Sequence, residues 1–384
     1  MQLLTASRLL LLASWAVTAL SIDGQEPLQS DSGSPSIESS STKALLKLHK
    51  DLITHASISG AEESVGKYLT KYLESKRFTV EVQEVQSNPP RANIFAYVGK
   101  TRKTRTLVSS HIDTVPPFWK YERRGDEIWG RGSVDAKGSV ASQILAVEDL
   151  LASGSIAEGD VGLLYVVGEE VGGEGMRKAN DLGLTWDTVI FGEPTELKLA
   201  SGHKGTMGLQ ISAKGKAGHS GYPELGKSAN AMLIPALHAL LSLELPSSEK
   251  YGNTTLNIGR MEGGVAGNVI AEDASADILL RIADGSLEDI QKVILETMEE
   301  LGQELDVRFT GGYGPVYIDS DVPGFQTIVV NYGTDIPHLK GDHKKYLYGP
   351  GTIMMAHSDH EHLKVSDLEN AVKGYKALIE HSLK

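Results

Sequence analysis

The 384-residue chain contains no cysteine, which excludes disulfides, zinc–thiolate sites and a thiol nucleophile together. Positive charge is in short supply: 37 Lys and Arg stand against 50 Asp and Glu, a net of −13. Such a chain repels phosphate backbones, which argues against nucleic-acid binding as its main task, and its net charge argues against a basic membrane-binding face while leaving room for local patches. Beyond the N-terminus no apolar run approaches the ~18 residues that a membrane span needs. No internal repeat is evident. What is present is 40% hydrophobic residues and 41 glycines, the balance of a loop-rich globular α/β protein. The length predicts two or three domains and at least one sizeable core.

Residues 1–21 read as a secretory signal peptide. Arg8 supplies the positive charge, Leu9 to Leu12 and Ala13 to Ala19 form a short apolar run, and Val17, Ala19 and Ser21 are small residues suited to cleavage. The mature protein is therefore expected to be secreted and extracellular, free of the membrane. Residues 22–42 are rich in Ser, with Pro, Gly and acids, and read as a disordered leader. Asn253-Thr254-Thr255 is an N-glycosylation sequon, which makes Asn253 a candidate site of glycosylation.

Structure is expected from Lys43 onward. Apolar periodicity predicts helices around Leu45–Ile53 and Ala61–Ser75, then strands at Phe78–Val85, Ala92–Val98 and Thr106–Ser109. A helix follows Asp135, and Val161–Val167 and Val189–Phe191 are apolar runs of the kind buried in a parallel sheet. Strands alternating with helices argue for an α/β sheet covered on both faces. From Gly205 to Gly311 the rhythm changes to β-α-β-β-α-β, the ferredoxin-like pattern. Residues 205–311 therefore read as an α+β unit inserted into a larger domain made of residues 43–204 and 312–384.

Five acidic or histidine islands lie at strand ends or in Gly-rich loops. In Ser110-His111-Ile112-Asp113, alternation turns His111 and Asp113 to one side of an extended chain, and a ligating imidazole wants a carboxylate to orient it. Asp135 stands among Gly130, Gly132 and Gly138 and precedes a helix; taken alone it reads as an N-cap. Glu169 and Glu170 end a buried strand, where two like charges are unfavourable unless a cation offsets them. Glu193 follows another apolar strand, and His357, His360 and His362 crowd one short stretch. Each island alone also has a plain reading: a polar strand end for His111 and Asp113, a helix N-cap for Asp135, and a solvated loop for the others. Together they place imidazole and carboxylate, without thiolate, at the strand ends of one α/β domain. That donor set suits zinc, with cobalt or manganese as alternatives, and a bridging Asp would hold two ions that activate a water for hydrolysis.

These pieces resemble a known family. His111-Ile112-Asp113-Thr114-Val115-Pro116, Gly130-Arg131-Gly132 through Asp135-Ala136-Lys137-Gly138, Glu169-Glu170, Gly192-Glu193-Pro194-Thr195, and His357 followed four later by Glu361 occur in its order. The chain from Lys43 to its end looks like the co-catalytic zinc exopeptidases and deacylases, which include acetylornithine deacetylase, succinyl-diaminopimelate desuccinylase and bacterial glutamate carboxypeptidase. The resemblance implies a zinc-exopeptidase-like catalytic domain with a mixed, largely parallel sheet. It also makes the ferredoxin-like insert a lid and dimerisation domain, so that a homodimer would form through it.

The resemblance further implies two zinc ions per subunit. His111 and Glu193 would hold the first, Glu170 and His357 the second, and Asp135 would bridge them. Asp113 would orient His111, and Glu169 would be the general base. Gly215 through Pro223 is similar to a family segment in which His219 helps to hold the oxyanion, in some members from the partner subunit. Asn268, in Gly263–Ile270, resembles a substrate-binding residue; Arg281 is a candidate partner for a substrate carboxylate, and Gly351 a candidate lining residue. The chain departs from the family in carrying His360 where an Asn is common, and His362 is additional. The expected activity is carboxypeptidase-like hydrolysis of peptides. An N-acyl-amino-acid deacylase with the same machinery stands as the alternative, because both bonds are amides.

Overall fold

The computed structural model describes residues 39–384. The expected signal peptide and most of the leader lie outside that range. The leader's last residues are already structured, since the first helix, α1, spans Ser40–Thr54. Its Leu45, Leu48 and Leu52 are buried, the three- and four-residue spacing of an amphipathic helix. Helix α2 (Glu63–Ser75) repeats the device with Val65, Leu69 and Leu73. Strands β1 (Phe78–Ser87) and β2 (Pro90–Val98) form an antiparallel hairpin. Strand β3 (Thr106–His111), helix α3 (Lys137–Ser153), β4 (Val161–Val166) and β5 (Thr188–Gly192) follow. Helix α3 stops at Gly154, which takes the left-handed conformation and donates its N–H to the Leu150 and Leu151 carbonyls.

The next stretch comprises β6 (Gly205–Lys214), α4 (Ala229–Leu241), β7 (Thr255–Gly263), β8 (Asp273–Ile282), α5 (Leu287–Glu300) and β9 (Leu305–Tyr313). Ser228 and Ser286 cap its two helices by accepting from the amides of Ala231 and Asp289. The chain closes with β10 (Lys344–Tyr348) and α6 (Val365–Ser382).

The main sheet has the order β1-β2-β4-β3-β5-β10. Strand β3 is parallel to β4 and β5, and β10 is parallel to β5, whereas β2 runs against both β1 and β4. This is the mixed, largely parallel α/β sheet expected from the alternation of elements. Every residue of β4 is buried. Leu163 and Tyr165 join Leu48, Leu69, Ile144 and Tyr375 on the face covered by the long helices. Leu164 and Val166 join Met176, Trp186 and Ile318 on the other face. A strand buried on both sides reads as a continuous apolar run. The carboxyl ends of β3, β4, β5 and β10 share one edge, where such sheets bind ligands.

The second sheet has the order β7-β8-β6-β9, antiparallel throughout. This is the ferredoxin-like arrangement of a β-α-β-β-α-β chain, and its last strand runs two residues beyond Gly311. Helices α4 and α5 cover one face through Met232, Leu237, Ile290 and Ile294, packed on Met207, Leu209, Ile211, Ile278 and Leu280; among the described residues no helix packs into this cluster from the opposite face. The chain passes between the sheets twice, side by side: Val316 pairs with His203 and Tyr313 with Thr206.

Candidate metal centre

The β3, β4 and β5 ends each deliver a donor to one place. His111 is the last residue of β3, Glu169 and Glu170 open a short turn after β4, and Glu193 follows β5. Asp135 sits just before α3, and His357 comes from the loop after β10. The His111 Nε2 lies 3.0 Å from Asp135 Oδ1 and 3.6 Å from Glu193 Oε1. On the other side His357 Nε2 lies 3.3 Å from Asp135 Oδ2 and 3.0 Å from Glu170 Oε2. The two oxygens of Asp135 thus face different histidines. Of the three clustered histidines only His357 reaches this centre. His360 Nδ1 pairs with Asp359, and His362 stacks on Trp129 with ring centroids 4.2 Å apart. His357 has φ +60°, a setting of order 1–3 kcal/mol above the ordinary regions for a non-glycine residue.

A second layer holds these donors in place. The Asp113 carboxylate is 3.5 Å from His111 Nδ1, and the Asp113 main-chain oxygen is 3.1 Å from the same nitrogen. Asp113 also accepts from Ser59 Oγ and from the main-chain amides of Glu169 and Glu170. One buried carboxylate therefore contacts the His111 ring and pins the Glu169–Glu170 turn. Glu361 does the same for Asp135. It accepts from the amides of Val134 and Asp135, and its other oxygen forms a buried ion pair with Arg131 at 2.6 Å. The sequence reading used Glu361 only as a spacing mark, because its partners are more than two hundred residues upstream.

The donors fit metal ions. Tetrahedral zinc with ligand bonds of ~2.0–2.2 Å separates its donors by about 3.4 Å, and the spacings above run from 3.0 to 3.6 Å. Among the described residues, His111, Asp135 and Glu193 form one donor triplet and Asp135, Glu170 and His357 a second. The electrostatics call for cations as well. Burial pushes the Glu169 and Glu193 carboxyls well above the ordinary range; neighbouring carboxylates add to this, and His111 opposes it. Glu170 is raised by burial and by Asp135. Burial disfavours a charged His111, yet Glu193, Asp113 and Asp135 raise its pKa well above the usual value, and hydrogen bonds to Asp135 and Glu170 raise His357 to about 10. A site that gathers shared protons among crowded carboxylates is one where divalent cations can replace those protons.

The centre opens into a cleft of about 730 Å³. One wall carries Asp135, Glu169, Glu170, Glu193 and His357; the other carries Thr206, Gly208, Leu279, Arg281 and Thr310 to Tyr313 from the second sheet. A model of peptidase family M20/M25/M40 matches residues 107–381. The chain belongs to that family. It is therefore a metal-dependent hydrolase of the metallopeptidase kind. A protein of Emericella nidulans named "Probable carboxypeptidase" is 43% identical, with 97% of each chain covered. The "Peptidase M20 domain-containing protein" of Schizosaccharomyces pombe is 44% identical over 88% of this chain and 85% of its own. Among solved structures, a tripeptidase from Staphylococcus aureus shares the fold at a TM-score of 0.74 and 22% identity, with 89% of this chain and 98% of that one covered. An M20 family metallo-carboxypeptidase from Sulfolobus solfataricus does so at 0.73 and 18%, covering 88% and 99%.

Of the other residues singled out in the sequence, Arg281 reaches the cleft and the rest do not. Arg281 lines the cleft, and none of the ion pairs among the described residues uses it. His219 is exposed, in the two-residue strand Gly218–His219, with its ring against Tyr222. Asn268 accepts from the Ser220 amide beside it. Neither residue lines the cleft of its own chain. Gly351, at φ +75°, borders a separate hollow with Glu196 and His362. Asn253 is exposed, and its main-chain oxygen accepts from Lys204. Cleft residues that sequence reasoning missed include Arg177, Tyr332 and His338, none of which stands in a motif.

Proposed function

We propose that this M20-family metallopeptidase is an exported carboxypeptidase that binds two zinc ions and releases C-terminal residues from peptides. The observation that carries the specificity is Arg281. It is a cleft-lining guanidinium on β8, without a carboxylate partner among the described ion pairs, across the cleft from Glu169 and the donor set. A planar guanidinium is suited to two-pronged binding of a carboxylate. The curated relatives named as carboxypeptidases point the same way.

His111 and Glu193 would hold one ion and Glu170 and His357 the other, with Asp135 shared. Ions there would polarise the scissile carbonyl and make a water nucleophilic near neutral pH. The Glu169 carboxylate takes the proton of the attacking water and returns it to the leaving amine. Asp113 keeps the His111 ring oriented through Nδ1, and Glu361 keeps the Asp135 turn in place. Arg281 holds the free carboxylate of the substrate, which fixes the bond to be cut one residue from the C-terminus.

Export rests on the N-terminal pattern of residues 1–21, and glycosylation of Asn253 goes with it. No helix among the described residues is long and apolar enough to cross a membrane. A homodimer through the inserted unit also belongs to this reading, because His219 lies outside its own cleft; sedimentation of the mature protein tests it. The deciding experiment is hydrolysis by the zinc-loaded protein of short peptides with free C-termini and of matched N-acetyl and N-succinyl amino acids. Chelator-sensitive release of C-terminal residues is expected. Turnover of the acylated amino acids alone would replace the carboxypeptidase with a deacylase.

A further inference from the structure

The open face of the second sheet carries a feature next to Arg281. Along β8, Ala274, Ala276, Ile278, Leu280 and Ile282 pack under the helices, so Ser275, Asp277, Leu279 and Arg281 face the other way. Leu279 is 39% exposed, an apolar side chain among polar ones. The register sets it directly opposite Gly208 of β6. A Cβ on Gly208 would lie 2.1 Å from Thr310 Oγ1 and 3.4 Å from Thr310 Cβ. Position 208 is thus bare backbone flanked by Leu279 on one side and Thr310 on the other, and all three residues line the catalytic cleft. The next row toward the crossover is Arg281, Thr206 and Tyr313. Same-face residues on a strand stand about 7 Å apart. A single amino-acid residue bridges that distance when its carboxylate meets one row and its side chain the next.

We propose that Leu279, Gly208 and Thr310 form the subsite for the side chain of the substrate's C-terminal residue, and that this subsite selects a medium-sized apolar side chain over a charged one. The proposal rests on the reading of Arg281 as the carboxylate anchor. Leu279 offers apolar contact, and Thr310, whose hydroxyl lies where a Gly208 side chain would stand, closes the far side. A charged group placed against Leu279 would lose water without gaining a partner. The cleft's other guanidinium, Arg177, donates to the Gly172 carbonyl. An acidic side chain directed there would give the opposite preference.

The test uses the zinc-loaded full chain and N-blocked dipeptides that differ only in the C-terminal residue: Gly, Leu, Glu or Lys. The expected kcat/KM for Leu exceeds those for Glu and Lys by at least tenfold, within the range that a hydrophobic pocket supplies. Leu279→Asp lowers the Leu-to-Lys ratio by more than tenfold, and Gly208→Val lowers the Leu-to-Gly ratio by a similar factor. Ratios within one variant cancel any general loss of turnover. The binding of free leucine and lysine, followed by titration calorimetry with wild type and Leu279→Asp, must show the same inversion. An unchanged Leu-to-Lys ratio overturns the proposal, and so does a wild-type preference for Glu that Arg177→Ala abolishes. The anchor is judged separately with C-terminal amides of the same peptides. Equal turnover of acids and amides removes Arg281 from its role, whatever the side-chain ratios show.

Discussion

On the proposed mechanism Glu169 and the metal donors are neighbours with different duties, and substitution would separate them. Glu169→Ala is expected to retain the wild-type metal content, read by atomic emission, while kcat falls by about 10²–10⁴, the usual worth of a positioned general base. Loss of metal from that variant would make Glu169 a ligand. His357→Ala is expected to lose at least one ion and His360→Ala none, because only His357 faces Asp135 and Glu170. Glu361 acts through Asp135 and Arg131, both buried. Glu361→Ala leaves the Arg131 guanidinium without its partner, at a cost of about 3–5 kcal/mol in a denaturant titration. It is also expected to weaken metal binding by about 10–100-fold, as loss of an outer partner does. Glu361→Gln, which keeps an acceptor for the two amides, should recover most of the metal affinity.

At the scale of elements, close approach matters more than composition. Gly192 ends β5 one residue before Glu193, and a Cβ there would lie 2.3 Å from Gln143 Nε2 and 2.8 Å from Ser139 Cβ of α3. Gly192→Ala is therefore expected to lower stability by about 1–3 kcal/mol, the range for overpacking, and to reduce activity by shifting Glu193. A melting curve and a metal titration check the two effects. Elements of this kind divide sharply in how visible they were beforehand. Val161–Val166, buried on both faces, announces itself as an apolar run, and the inserted unit shows in its change of period. Lys344–Tyr348 was not read as a strand: it opens on two lysines and joins the sheet only by pairing with β5, far earlier in the chain. Leu199–His203 was missed for the same reason, since its partners are Val316–Tyr317 and Thr327–Val330. His111, Glu170 and Glu193 were legible because they end or follow apolar strands, Asp135 because it sits in a Gly-rich turn before a helix, and His357 because histidines crowd its loop. The roles of Glu361, and of Asp113 in pinning the Glu169–Glu170 turn, were not, because they arise from contacts that sequence spacing does not encode.

For the whole molecule, two buried histidines couple stability to pH. His49 and His203 each have their pKa lowered by burial to about 4, from 6.5. His49 Nδ1 has no hydrogen-bond partner among the described residues, while His203 places Nδ1 against the Lys204 carbonyl and Nε2 against Thr334 Oγ1. Between pH 6.5 and 4 the unfolded chain binds protons that the folded chain refuses. Stability is thus full above about 6.5 and falls as pH drops through that window, by about 3 kcal/mol for each residue. His203→Gln should flatten the slope of unfolding free energy against pH over that range. The metal sites act in the same direction from outside the core: chelation is expected to lower the melting temperature of the wild type, since ions bound only by the folded state stabilise it.

The side-by-side crossings between the two sheets have a mechanical consequence. Residues 202–206 and 313–317 are stitched to each other, and a Cβ on Gly205 would sit 2.3 Å from the Tyr313 carbonyl oxygen. The catalytic donors stand on one side of this seam, and Arg281 with its neighbours on the other. On the carboxypeptidase reading, the gauge for one amino-acid residue would be set at a hem of which only Thr206 and Tyr313 reach the cleft, so activity could be retuned at Gly202, His203 or Val316 without altering a reacting group.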